Sequence, residues 1–364
     1  MYYIGLISGT SMDAVEGVLV DFDSTPPAVA AATSRPYPEE LRLALKQARA
    51  QTPLAEIMAL DAQVAELFAV TARQLLTDAN ISAEAVAAIG SHGQTVWHSP
   101  ATQPAWTLQI GDANRIAYTT GITTVADFRR MDMAAGGEGA PLVPIFHAAW
   151  LQRPGHTRIV LNLGGIANIT VLPGDKDEPV SGFDTGPANT LLDAWAWRYR
   201  QTPCDEDGRF AARGRVIPAL LEALLADPYF QQPAPKSTGP EYFNLDWLAR
   251  LLEEEHQPAD VQATLVELTA RSVAAAVQRY APEADAVIAC GGGVHNPVLM
   301  TALAAALAPV AVSTSADYGL PPDKVEALCF AWLARERLAG QPGNLPAVTG
   351  ASEPVILGGI YQPR

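Results

Sequence analysis

The sequence predicts an α/β fold built as two lobes. Apolar, β-branched runs alternate with amphipathic helical runs along the whole chain, which is the α/β pattern. At 364 residues the chain exceeds the ~250–300 residues at which a single hydrophobic core stops growing, so two domains or one large α/β unit are expected. A strand and polar turn near the N-terminus, Ile4–Phe22, has a counterpart at Ile159–Leu172, as a duplicated lobe would give.

Residues 2–8 and 15–22 are apolar runs flanking the small, polar turn GTSMDA, the pattern of a hairpin. Two helices follow between Glu39 and Thr77, separated by Thr52-Pro53. AVAAIGSHGQTVWHSP reads as a strand entering a polar loop, and TTVADFRRMD as a strand ending in charges. After the glycine-rich GGEGAPLVP and a helix-like FHAAWL, RIVLNLGGIANITVLP is strand, Gly-Gly turn and strand. SGFDTGPANTLLDAWAWRYR reads as a turn capped into a helix. Helices are expected at 216–226 and 245–256 with a Pro-rich, exposed connection between them, and again from Ala263 to Tyr280. ADAVIACGGGVHNPVLMTALAAAL is strand, triple-glycine turn and helix, and DKVEALCFAWLARERL is a last helix.

The chain is 49% hydrophobic and 17% charged, enough to bury a large core. No apolar stretch reaches the ~20 residues of a membrane span, and the N-terminus carries no signal-peptide pattern, so a cytoplasmic location is expected. Cys204, Cys290 and Cys329 have no paired spacing and indicate neither a disulfide framework nor a zinc site. A formal charge of −15 argues against nucleic acid or an anionic membrane as partner. A chain this acidic that binds a nucleotide must neutralise phosphates locally, with backbone amides and a metal ion.

Three glycine turns suit that task. At the first, Gly9, Thr10, Ser11, Met12, Asp13, Ala14, Val15 and Glu16 let backbone N–H groups approach phosphate oxygens, and Asp13 is a candidate Mg²⁺ ligand. The second offers Gly164, Gly165 and Asn168; the third, Gly291, Gly292 and Gly293, closes a strand and opens a helix, giving a flat face for a purine and a helix N-terminus for negative charge. Walker A and the dinucleotide fingerprint are both absent.

In this order the turns resemble the phosphate-1, phosphate-2 and adenosine motifs of the actin, sugar-kinase and heat-shock-chaperone ATPase superfamily. The strings ISGTSMDAVEG, SHGQTVWH, LQIGDAN, DFRRMDMAAGGEGAPLVPIFH, LNLGGIANIT, FDTGPANTLLD and GGGVHNP resemble those of anhydro-N-acetylmuramic acid kinases. The resemblance implies a two-lobed actin-like ATPase (ribonuclease H-like) fold with the active site in the interlobe cleft. Residues 1–131 would form the N-terminal lobe with the phosphate-1 hairpin. Residues 132–364 would form the C-terminal lobe with the other two motifs, the last residues being able to return to the first lobe. Three positions depart from the family pattern SGTSxDGxD and GGQGAPL: Ala14, Glu16 and Glu138.

The resemblance also implies the reaction. ATP and water act on 1,6-anhydro-N-acetylmuramic acid, opening the internal ether as O6 is phosphorylated, a step of peptidoglycan recycling. Asp184 matches the family's catalytic aspartate and would be the base, the alternative for an Asp in such a turn being a helix N-cap. Arg129 is the expected catalytic cation near the γ-phosphate, with Arg130 beside it; a surface ion pair is the competing reading for both. Gln94, His92, Arg130, Gly186 and Glu326 are candidate sugar contacts, although a lone His is more often structural and Glu326 reads equally as a solvated helix carboxylate. ATP and Mg²⁺ are the expected cofactors, and the amino sugar and ATP the expected partners, in a homodimer without nucleic acid or membrane. Two other functions compete: an ordinary sugar or carboxylate kinase of the same fold, and a non-enzymatic ATPase switch.

Overall fold

The computed structural model describes every residue except Thr10, Ser11, Arg49 and Ala50. In chain order its strands and helices are β1 (Tyr2–Ser8), β2 (Ala14–Asp21), β3 (Ala28–Pro36), α1 (Glu39–Gln47), α2 (Leu54–Ala79), β4 (Val86–Ser99), β5 (Trp106–Ile110), α3 (Ala113–Thr120), β6 (Thr124–Ala126), α4 (Arg130–Ala134) and α5 (Val143–Leu151). There follow β7 (Arg158–Leu163), β8 (Ile166–Leu172), β9 (Ser181–Pro187), α6 (Asn189–Arg200), α7 (Pro218–Leu225), α8 (Pro228–Gln231), α9 (Leu245–Ala249), α10 (Pro258–Tyr280), β10 (Ala286–Cys290), α11 (Pro297–Leu307), β11 (Ala311–Thr314), α12 (Val325–Leu338), α13 (Pro346–Thr349) and β12 (Gly359–Tyr361). The chain forms two compact units, Met1–Phe146 with Lys324–Arg364, and His147–Asp323. Among the described residues no helix is long and apolar enough to cross a membrane.

The first unit is a seven-stranded mixed sheet in the order β12-β6-β4-β1-β2-β3, with β5 added to β4. On one face lies α2, whose Val64, Phe68, Ala72 and Leu75 are buried at helical spacing against Leu6, Leu19 and Ile89. On the other lies α12, against β1 and β4. Two glycines admit it. Gly5 and Gly90 are register partners across the parallel β1–β4 pair. A Cβ on Gly5 would stand 1.8 Å from the Ala327 carbonyl oxygen, and one on Gly90 1.9 Å from that of Phe330. The helix backbone therefore rests directly on the sheet backbone, an approach that only glycine permits.

The expected boundary at residue 131 would have split a continuous structure. Asp132, buried in α4, accepts from Gly139 N at 2.8 Å, Asn344 Nδ2 at 2.6 Å and Thr349 Oγ1 at 2.7 Å. Glu138 N donates to Thr349 O at 2.7 Å. The 132–139 loop and the C-terminal segment are thus one hydrogen-bonded structure, and the first unit runs on to Phe146.

The second unit repeats the strand order: β11-β10-β7-β8-β9, with β7, β8 and β9 antiparallel neighbours and β10 parallel to β7. Its core joins the sheet to α10 and α6 through Leu161, Ile169, Trp195, Leu265 and Val273. The helix expected at 245–256 ends at Ala249, and α10 begins at Pro258, five residues before the expected Ala263; its Pro sits in the first turn, where no N–H is needed.

Gly5→Ala should cost about 2–3 kcal/mol, the upper range for overpacking a close-packed interior. Urea unfolding should report it as a lower midpoint with an unchanged slope.

Candidate active site

In the first unit the hairpin turn between β1 and β2 carries Gly9, where a Cβ would meet nothing within 4 Å. Met12 N closes the turn on Gly9 O at 3.2 Å, with Met12 at φ 56°. Thr10 and Ser11 lie outside the described residues. Val15 is fully buried in the core and Ala14 pairs with Pro36 of β3, so these two contribute backbone rather than side chains. The Glu16 carboxylate accepts from Ser34 Oγ at 2.6 Å and forms an ion pair with Lys324, which commits it away from a nucleotide.

Asp13 is the free-standing carboxylate of the turn. It is exposed and, among the described residues, its side chain makes only long contacts with Arg42 (3.9 Å) and Lys46 (3.8 Å), which water screens and a hard cation could displace. Among the described residues no group of three or more His, Cys, Asp or Glu side chains could hold a metal. The set fits Mg²⁺ carried on nucleotide phosphates and touched by one carboxylate, the usual mode of that ion.

Gln94 and His92 stand within strand β4, not in the expected loop, because that strand continues to Ser99 by pairing with β5. Gln94 is fully buried: its Oε1 accepts from Ser8 Oγ at 2.5 Å, and its Nε2 donates to Gly9 O at 3.3 Å and Thr95 O at 3.1 Å. Its amide is engaged in shaping the first turn. His92 is buried against the Phe330 ring, centroids 4.6 Å apart. Its Nδ1 lies 3.0 Å from Gly93 O and its Nε2 2.8–3.0 Å from the guanidinium of Arg129. Burial first, then the Arg129 charge, hold it well below the usual histidine range. It has no nitrogen left for a sugar.

Arg129, at the N-terminal edge of α4, also donates from Nη1 to Gly139 O at 2.7 Å. Desolvation lowers its pKa while Glu326 opposes that shift, and a guanidinium remains charged regardless. Arg130 points elsewhere, exposed and 3.5 Å from Asp127 Oδ2. Glu326, in the first turn of α12, keeps contact with water, yet the protein around it desolvates the carboxyl and pushes it above the usual range, with Arg129 opposing.

In the second unit, register aligns Cys290, Asn162, Asn168 and Asp184 across β10, β7, β8 and β9. The Gly164-Gly165 turn is fixed from behind: Ala188 N and Thr190 N donate to Gly165 O, both at 3.0 Å, and Asn189 N to Gly164 O at 3.1 Å. Its carbonyls are consumed by the start of α6. Gly164 itself keeps only ordinary contacts around a would-be Cβ, the nearest at 3.5 Å. Gly291 (φ 83°) and Gly293 fit flush on this turn, since a Cβ would lie 2.5 Å from Asn162 Oδ1 or 2.6 Å from Leu163 Cβ, whereas Gly292 faces open space. The expected phosphate-2 and adenosine turns are therefore one contiguous glycine surface.

Asp184 is a strand residue of β9, not a turn residue or a cap: α6 starts after Ala188 without a side-chain cap. A segment that sequence reasoning treated as an exposed connection holds it. Asp184 Oδ2 accepts from Thr238 N at 2.9 Å, Asp184 N donates to Lys236 O at 3.0 Å, and Tyr229 Oη donates to Asp184 O at 2.8 Å. Burial pushes the carboxyl up to about 6; the Thr238 N–H and Lys236 pull down, and Glu241 pushes up. The run Lys236-Ser237-Thr238-Gly239, small and polar like the glycine turns, was the available signal. At Gly186 the space a side chain would take is filled by Phe230 and Ser272 Oγ, at 2.8 and 3.3 Å, so only its backbone is open to a ligand.

A family model described as anhydro-N-acetylmuramic acid kinase matches residues 1–363. The anhydro-N-acetylmuramic acid kinase of Xanthomonas campestris pv. campestris (strain 8004) is 54% identical over 366 residues, covering 99% of this chain and 97% of that protein. The protein of that name from Coxiella burnetii (strain Dugway 5J108-111) is 49% identical over 362 residues, with the same coverage. Among solved structures, component A of the (R)-2-hydroxyglutaryl-CoA dehydratase of Acidaminococcus fermentans shares the fold, with a TM-score of 0.51 at 13% identity over 93% of this chain and 99% of that one.

The Asp184 carboxyl carbon, followed by NMR, should titrate near pH 6. Lys236→Met should move its midpoint up and Glu241→Gln should move it down, because each removes a charge of known sign.

Proposed function

The chain belongs to the anhydro-N-acetylmuramic acid kinase family, and on that premise we propose that it uses ATP and water to convert 1,6-anhydro-N-acetylmuramic acid into N-acetylmuramic acid 6-phosphate and ADP, in peptidoglycan recycling. The observation that carries the reading is Asp184: a half-buried carboxylate, fixed by Thr238 N–H and poised near pH 6, in the same unit as an open glycine surface. A base with that pKa is ionised at neutral pH yet accepts a proton readily.

Asp184 takes a proton from water as the water oxygen bonds to the anomeric carbon. The bond from that carbon to O6 breaks, O6 takes the γ-phosphoryl group, and the β–γ phosphoanhydride bond breaks to leave ADP. Gly164 and Gly292 offer the nucleotide backbone free of crowding side chains, and Gly9 does so in the first unit. Arg129 supplies fixed positive charge for a developing oxyanion. Mg²⁺, held chiefly by the nucleotide and touched by Asp13, would neutralise charge on the transferring phosphoryl group. The homodimer remains part of the proposal, and light scattering should return twice the 38.6 kDa chain mass.

Mass spectrometry of the product formed in ¹⁸O-water should find one solvent oxygen in the phosphorylated sugar. ADP release supported equally by an intact hexose would instead identify an ordinary sugar kinase, and release without any acceptor an ATPase switch. Chelation should abolish turnover and Mg²⁺ restore it. Asp184→Asn keeps an oxygen for the Thr238 N–H and should fold with a stability change of about 1 kcal/mol and lose about 10²–10⁴ in kcat, while calorimetry still shows ATP binding. For the wild type, kcat/KM should fall as pH drops below about 6, since protonation removes the base.

A further inference from the structure

A guanidinium has five N–H donors. In Arg129, Nε–H and one Nη2–H converge on His92 Nε2 at 3.0 and 2.8 Å, and one Nη1–H goes to Gly139 O at 2.7 Å. One N–H on each terminal nitrogen is left without a partner among the described residues, and such a pair suits two oxygens of a phosphate or carboxylate. The plane that aims this pair is set by His92. Because Nε2 accepts from the guanidinium, the imidazole proton belongs on Nδ1, which donates to Gly93 O at 3.0 Å. The ring itself is fixed by Phe330, which in turn packs 5.4 Å from Phe128, the residue before Arg129.

The choice of acceptor matters chemically. A carboxylate in place of His92 would orient Arg129 equally well but cancel its charge, and a protonated imidazole would repel it. The nearby carboxylates are otherwise engaged or too far: Asp132 spends its oxygens on Gly139, Asn344 and Thr349, and Glu326 acts on Arg129 only through space. We propose that His92 is a positioning residue, a neutral acceptor that aims the two remaining N–H groups of Arg129 at the ligand oxyanion while leaving the guanidinium charge uncancelled.

The inference rests on the reading of Arg129 as a catalytic cation, and a double-mutant cycle separates the two. His92→Phe keeps an aromatic ring against Phe330 but removes the acceptor. His92→Asn keeps a polar group near Gly93 but is too short to reach Arg129. His92→Gln restores an acceptor near the Nε2 position. The Phe and Asn variants should fold, keep KM for ATP within about threefold and lose about 10²-fold in kcat, the scale of a misplaced oxyanion donor; should Phe fail to fold, Asn carries the comparison. Gln should recover to within about fivefold of wild type. In an Arg129→Met background, followed by single turnover, His92→Phe or His92→Asn should cost no more than about twofold further, because coupled residues are non-additive. Equal losses in all three His92 variants, a loss confined to KM for the sugar, or a full additional loss in the Arg129→Met background would overturn the proposal. If Arg129→Met is inactive while the His92 variants keep wild-type kcat, the His92 role alone fails. If Arg129→Met keeps wild-type kcat, the reading of Arg129 fails and takes this inference with it.

Discussion

The first unit depends on one close approach. Gly5 and Gly90, side by side in β1 and β4, leave a bare patch of sheet backbone on which α12 lies. Any side chain there would lift the helix by at least the thickness of a methyl group, and close-packed interiors transmit such displacements rather than absorb them. What rides on α12 is Glu326 in its first turn and, one turn on, Phe330 against both His92 and Phe128. Arg129 is bonded to one of those residues and adjacent in sequence to the other, so its aim follows from helix height. Asp132 supplies the second constraint, binding the Gly139 loop, whose carbonyl takes Arg129 Nη1, to the C-terminal segment.

The second unit solves a different problem with the same strand order. Its register places a row of small polar residues, Cys290, Asn162, Asn168 and Asp184, across four strands. None of the other three carries a positive charge that would pull the Asp184 proton off. Burial, aided by Glu241, lifts that carboxyl from 3.8 to about 6, a differential of about 3 kcal/mol between its two protonation states, and the Thr238 N–H and the Lys236 charge only partly offset it. The raised pKa therefore comes from withheld compensation: one backbone donor fixes the carboxylate, and too few donors surround it to return it to the ordinary carboxylate range.

How much of this was legible in the chain follows from which contacts are local. The three glycine turns were readable because a bare backbone turn between apolar runs has a signature within ten residues. Asp184 was found by motif but placed in a turn, since Gly182, Gly186 and Pro187 nearby look like breakers; β8 overrides them by pairing along β9 on both sides of an irregularity at Thr185. Gln94 and His92 were placed in a loop for a similar reason, Gly93 at φ 76° being tolerated inside β4. The clasp of Lys236 and Thr238 on Asp184 joins residues some fifty positions apart, and no local pattern reports such a contact. Nor could Gly5 and Gly90 be singled out, because a glycine in a strand looks like a weakness until the helix it admits is seen.

The three departures from the family pattern can now be weighed by what each position does. Glu138 has an exposed side chain, and its backbone N–H holds Thr349 O, which any residue but proline could supply. Ala14 is an ordinary strand residue paired with Pro36. Glu16 is the informative case. Its carboxylate bridges Ser34 on β3 and Lys324, the residue at which the chain re-enters the first unit and α12 begins. An aspartate there would be one methylene shorter, so the longer side chain bears on the seating of α12. Gly9, which faces open space, and the exposed carboxylate of Asp13 make none of their contacts with Glu16, so the change leaves that part of the hairpin turn as it is.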